Sequence, residues 1–115
     1  MATEKSIAVR VTQQLGSLEI STRPMFGEFC VYHRGKVVGF ICDNTLFVKI
    51  TPAGAAFAGE IERGSPYPGA KPYFRITQAQ LDDDEWLTAL VDITTDALPE
   101  ARRRVKRPRP SIERS

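Results

Sequence analysis

The feature that most constrains this chain is a change of hydrophobic period at Gly16. Up to it, Ile7, Val11 and Leu15, with Leu18 just beyond, recur at spacings of four, four and three. That is one face of a helix. The pattern predicts a helix over residues 4–15, with Thr3 able to cap its start and Gly16 to stop it. Past Gly16 the period falls to two. Segments 25–33, 36–42 and 45–50 are rich in Phe, Val, Ile, Tyr and Thr, and Arg34-Gly35 and Asp43-Asn44 are short turn-like breaks. A three-stranded antiparallel meander follows from this.

Thr51-Pro52 then announces a second helix, with Thr as cap and Pro at a position whose N–H has no partner. Its residues are small, so it can pack closely. Residues 62–70 hold two Pro and two Gly and read as a loop. Residues 71–77 read as a strand, which Pro72 confines to an edge or an end. Thr77 to Gln80 has capping-box spacing. In the helix that follows, Trp86, Leu90, Ile93 and Ala97 form one row and Leu87, Val91, Thr94 and Leu98 the next. So wide a stripe suits a helix lying on a sheet, and Pro99 ends it. The expected fold is α+β, a two-layer sandwich with helices on one face of an antiparallel sheet, in the order α-β-β-β-α-β(β)-α. Residues 1–99 form the domain, and residues 100–115 a basic, disordered tail.

Length and charge bound the function. The chain has 115 residues, enough for one domain with its own core. No apolar run approaches the roughly 18 residues of a membrane helix, and the N-terminus lacks the apolar stretch of a signal peptide. Two cysteines make no disulfide framework, and a reducing cytoplasm is the expected location. Residues 1–100 carry a net charge of −4 and residues 101–115 a net of +6. A body that binds nucleic acid would itself be basic. Such binding would rest on Arg102, Arg103, Arg104, Lys106, Arg107 and Arg109. These could follow phosphates, but no aromatic is interleaved to stack on bases.

Cys30, His33 and Cys42 invite a search for thiol chemistry. A regular two-residue hairpin at Arg34-Gly35 sets Cys30 opposite Gly39 and Cys42 opposite Gly27. The two thiols then face opposite sides of the sheet, which disfavours a disulfide or a shared metal. His33 shares the face of Cys42 but lies roughly 20 Å away along the ladder. A Cys–His dyad needs about 3 Å. Asp82 to Glu85 point about 100° apart in succession, so they suit a helix N-terminus better than a cation. Gly64 to Gly69 lacks the Lys-Ser/Thr and the flanking elements of a phosphate loop. No catalytic residues, metal ligands or cofactor emerge, and an enzyme is not expected. A cleft with convergent polar groups near Tyr67, Lys71 or His33 would reopen that question.

Three stretches carry a resemblance: Arg23-Pro24-Met25-Phe26-Gly27-Glu28-Phe29, Tyr32 to Gly39, and Leu46-Phe47-Val48-Lys49. With Pro66-Tyr67-Pro68-Gly69-Ala70-Lys71-Pro72 and the acidic opening before Trp86-Leu87, the chain resembles the N-terminal domain of the TfoX/Sxy family over about residues 8–98. The resemblance implies a two-layer fold of α-β-β-β-α-β-β-α type and no catalytic residues. It also implies a bacterial role in transcription regulation, since full-length members promote natural competence with the cyclic-AMP receptor protein. Those regulators carry a further C-terminal helical domain, and here the chain ends after a basic tail. The expected function is a non-enzymatic regulatory module acting by protein–protein contact or self-association, with no small-molecule substrate. The alternative is a nucleic-acid-binding accessory protein using the tail. Arg23, Met25, Phe26, Gly27, Lys49, Tyr67, Pro68 and Gly69 are the candidate contact residues. Met25-Phe26-Gly27 reads as a strand-entry bulge with one large side chain in the core and the other exposed.

Overall fold

The computed structural model describes residues 4–99. Thr3 and the whole basic run from Arg102 to Arg109 lie outside the described residues. Helix α1 (Lys5–Gln14) is followed by a short 3-10 turn (Gly16–Leu18). Four strands then run in succession: β1 (Ser21–Met25), β2 (Glu28–His33), β3 (Lys36–Cys42) and β4 (Thr45–Val48). Helix α2 (Pro52–Ala58), strands β5 (Arg63–Gly64) and β6 (Tyr73–Arg75), and helices α3 (Gln78–Asp82) and α4 (Asp84–Ala97) complete the order. The six strands form one antiparallel sheet in the order β1-β2-β3-β4-β6-β5.

The expected α+β sandwich is present, with one strand more at its start. Three successive hairpins build it, each with a two-residue loop: Phe26-Gly27, Arg34-Gly35 and Asp43-Asn44. In all three both loop residues have positive φ, the signature of the tight mirror-image turn whose twist matches that of its strands. Met25-Phe26-Gly27 is therefore a strand end and a turn rather than a strand-entry bulge. Phe26 sits at φ 53° and Gly27 at 83°.

The Thr51 and Thr77 cap signals act as read. Thr51 Oγ1 accepts from Gly54 N at 3.0 Å, and Thr77 and Gln80 close a full capping box. Asp83 caps α4 by accepting from Trp86 N. Gly54 lets α2 approach α4 closely, since a Cβ there would stand 3.4 Å from Thr94 Oγ1. The core lies between helices and sheet, and joins Val11, Leu15, Val31, Ile41, Val48, Phe74, Leu87, Leu90 and Val91. On α4 the buried stripe is narrower than the two expected rows. Ala97 is exposed, and Thr95, absent from both rows, is wholly buried.

One irregularity sets the sheet's register. His33 pairs with Lys36 and Tyr32 with Val37, but Val31 pairs with Gly39. Val38 is thus an extra residue on β3, and its carbonyl accepts from Lys49 N at 2.9 Å. Beyond it Cys30 faces Phe40, not Gly39. At Gly39 the neighbouring strand comes so near that a Cβ would lie 2.0 Å from the Phe47 carbonyl oxygen. Gly39→Ala should cost roughly 2–4 kcal/mol. Urea unfolding of the variant would check this, and an unchanged midpoint would contradict the close approach.

Candidate functional site

The bulge sorts side chains between two faces. Val31, His33, Ile41, Leu46, Val48 and Phe74 take the helix side. Arg23, Tyr32, Cys30, Phe40, Cys42, Phe47, Lys49 and Tyr73 take the outer side by strand alternation. Both thiols are therefore on the outer face, which corrects the opposite-face expectation; a single inserted residue reverses the side of every later position. They are free, and buried to 6% and 3% exposure. Burial pushes the Cys42 thiol up to about 11, and Glu28, Asp43 and Cys30 add to the effect.

His33 lies on the other side of the sheet. It is buried against α4, with Nδ1 2.8 Å from Thr95 Oγ1. That hydroxyl donates to the Val91 carbonyl at 2.8 Å, so it accepts from His33, and the proton sits on Nδ1. Burial lowers the His33 pKa and Arg34 lowers it further, against opposing pulls from Asp92, Asp96 and Glu19. The hairpin end beside it is tied to α4. Arg34 reaches Asp96 at 2.7 Å and Asp92 at 3.4 Å. Lys36 Nζ donates to the Thr95 and Leu98 carbonyls at 3.0 Å, where a cation complements the helix dipole.

The outer face holds a small aromatic cluster. Phe40 meets Tyr73 edge-on at 5.6 Å and Tyr67 at 6.0 Å. Tyr67 belongs to the loop between β5 and β6, which is held in a turn by Ala70 N donating to the Tyr67 carbonyl at 3.1 Å. Pro68 and Gly69 form the tip of that turn. On one side of the cluster, Met25, Phe26, Glu28, Cys42, Pro66 and Tyr67 line a groove of about 430 Å³. On the other, Lys49, Lys71 and Arg63 line a cleft of about 460 Å³ with Tyr73. Phe26 is 100% exposed at its rim of the groove.

Residues 12–98 match the TfoX N-terminal domain. The chain belongs to that family. It is also similar to an uncharacterized 12.7 kDa protein in the trpE 5' region of Spirochaeta aurantia, at 41% identity over 100 residues covering 86% of each chain.

Within this TfoX N-terminal domain the candidate contact residues divide. Met25, Phe26 and Tyr67 meet at the groove, with Gly27 completing the Phe26 turn. Arg23 stacks over the Tyr32 ring at 5.4 Å, and Lys49 lies at the separate cationic cleft. Sequence reasoning singled out neither Arg63 nor the aromatic bridge of Phe40 and Tyr73. Only the strand pairing brings them together. Among the described residues no group of three or more His, Cys, Asp or Glu could hold a metal ion, and no helix is long and apolar enough to cross a membrane.

Two outcomes follow. At about pH 8 Ellman's reagent should modify neither thiol of the folded protein but both in denaturant; fast labelling of the native chain would contradict their burial. His33 has a folded pKa below its ordinary 6.5. Across the interval between the two values the unfolded chain holds the extra proton. Stability conferred by neutral His33 is thus complete above 6.5 and declines as pH falls through that interval. Melting between about pH 7.5 and pH 5 should show this decline, and His33→Asn should flatten it.

Proposed function

We propose that this chain is a non-enzymatic regulatory module of the competence-regulator kind that acts by protein–protein contact through its outer sheet face. Phe26 carries the reading. Its left-handed backbone costs an ordinary L-residue roughly 1–2 kcal/mol, and Asn or Gly would fit the turn better. The ring gains nothing from burial, being wholly exposed. A residue that breaks a local rule at a solvent-facing tip points to a use outside the fold. Aromatic side chains are the usual anchors of protein interfaces, and the adjoining groove offers a partner an apolar seat.

The non-enzymatic part is supported by how the reactive groups are employed. The imidazole is committed to Thr95, and the Cys42 thiol stays protonated at neutral pH. A nucleophile would need the reverse in both cases.

Phe26→Asn separates folding from contact. It should raise stability by about 0.5–1 kcal/mol, read as a melting temperature several degrees higher. Replacing Phe26 by the photocrosslinker p-benzoylphenylalanine should give a discrete protein adduct in bacterial cells, while the same group at exposed Val9 should not. No adduct from position 26, or the same adducts from both positions, would overturn the reading.

A further inference from the structure

The cationic cleft has no part in the contact just described. Lys49 follows β4, Arg63 lies on β5, and Lys71 precedes β6, so three separate segments deliver positive charge to one cavity of about 460 Å³. Among the described residues no carboxylate lines it; the remaining walls are Ile50, Pro72, Tyr73 and Leu98. This is unusual for the molecule. Residues 1–100 hold 13 acids against 9 Lys and Arg. Of the four other described arginines, three have carboxylate partners, Arg10 with Asp82, Arg34 with Asp92 and Asp96, and Arg75 with Glu62, while Arg23 stacks on Tyr32. Lys49 and Lys71 make no ion pair among the described residues, and Arg63 rests on the Phe74 ring at 5.5 Å. That stacking leaves the edge of the guanidinium, which carries its N–H groups, free to donate.

Gathering like charges in a partly desolvated hollow costs energy that an anion would recover. Burial draws the Lys49 amine below its ordinary pKa, Cys30 opposes, and Lys71 adds to the lowering. The volume falls in the roughly 300–1,000 Å³ range of small-ligand pockets. The net −4 of residues 1–100 disfavours a long polyanion, which would meet repulsion beyond the cleft.

We infer that the cleft between β4, β5 and β6 is a binding site for a small organic phosphate. Its phosphate lies among Lys49, Arg63 and Lys71, and its carbon framework lies against Pro72 and Tyr73. The inference stands independently of the Phe26 contact and adds a ligand to a module otherwise read as binding only macromolecules.

The test is a residue-resolved NMR titration of the full chain at about 150 mM salt, using inorganic pyrophosphate, succinate and a short DNA duplex as probes. Pyrophosphate should give saturable shifts centred on Lys49, Arg63, Lys71 and Tyr73. Lys49→Met and Lys71→Met should each weaken binding about tenfold or more. Lys49→Arg should retain most of it, and Lys5→Met all of it. Preserved spectral dispersion shows that each variant is folded. Shifts confined to residues 100–115, equal binding of succinate, tighter binding of the duplex at the same residues, or unchanged affinity in both Met variants would each overturn the inference.

Discussion

The extra residue at Val38 decides what the rest of the sheet can do. Strands alternate their side chains, so one inserted position exchanges the two faces for all that follows. Before the bulge, His33 and Lys36 meet α4; after it, Ile41 continues the core and Cys42 turns outward. Gly39 stands next to the bulge and admits the Phe47 carbonyl where any side chain would collide. The bulge and the glycine act together: one shifts the register, the other lets β4 close on the shifted strand. Both the aromatic cluster and the cationic cleft depend on that placement, because Phe47 and Lys49 continue the same strand outward.

Local chemistry was largely legible in the residues. Helix periodicity marked α1 and α4, Thr51 and Thr77 each announced a cap that forms, and the acids 82–85 fall at the start of α4, where Asp83 is the cap. The missing strand β1 had little signal. Ser21-Thr22-Arg23-Pro24 is polar, and Pro24 is tolerable only because β1 lies at the sheet edge. The Phe26 turn was concealed because phenylalanine is not a turn-forming residue. Nothing in the composition of residues 36–42 distinguishes a bulged strand from a regular one, so the cysteines could not be assigned to their true face. Lys36 capping α4 and Arg63 joining Lys49 are long-range pairings that no local spacing encodes.

The reactive groups lie on opposite sides of the sheet. The imidazole is buried and hydrogen-bonded on the helix side, and burial lowers its pKa. The thiols occupy the other side, Cys42 packed with Phe47, Tyr73 and Phe40 beside the loop that carries Tyr67. Separation by the sheet itself keeps them from forming any dyad, and no local side-chain rotation could bring them together. Elsewhere the surface presents an exposed ring at the Phe26 turn and clustered charge at the end of the sheet where β4, β5 and β6 meet.

The two faces also differ in how much folding depends on them. Among the described residues the helix side buries fifteen hydrophobic residues in one cluster, whereas the outer side buries Cys42, Phe47 and Tyr73 in a second, with Phe40 packed against them, and Cys30 besides. At roughly 1.5–3 kcal/mol for each large apolar side chain fully buried, the helix side supplies most of the hydrophobic stabilisation. Folding alone therefore exerts little demand on the outer rim. It does not require an aromatic ring in a left-handed turn, nor two lysines, with no ion pair among the described residues, beside an arginine. Helices α1, α2 and α4 have no comparable freedom, since Val11, Gly54 and Leu90 are held by packing on their neighbours. A fold built this way can vary the residues of its outer face while keeping its core intact.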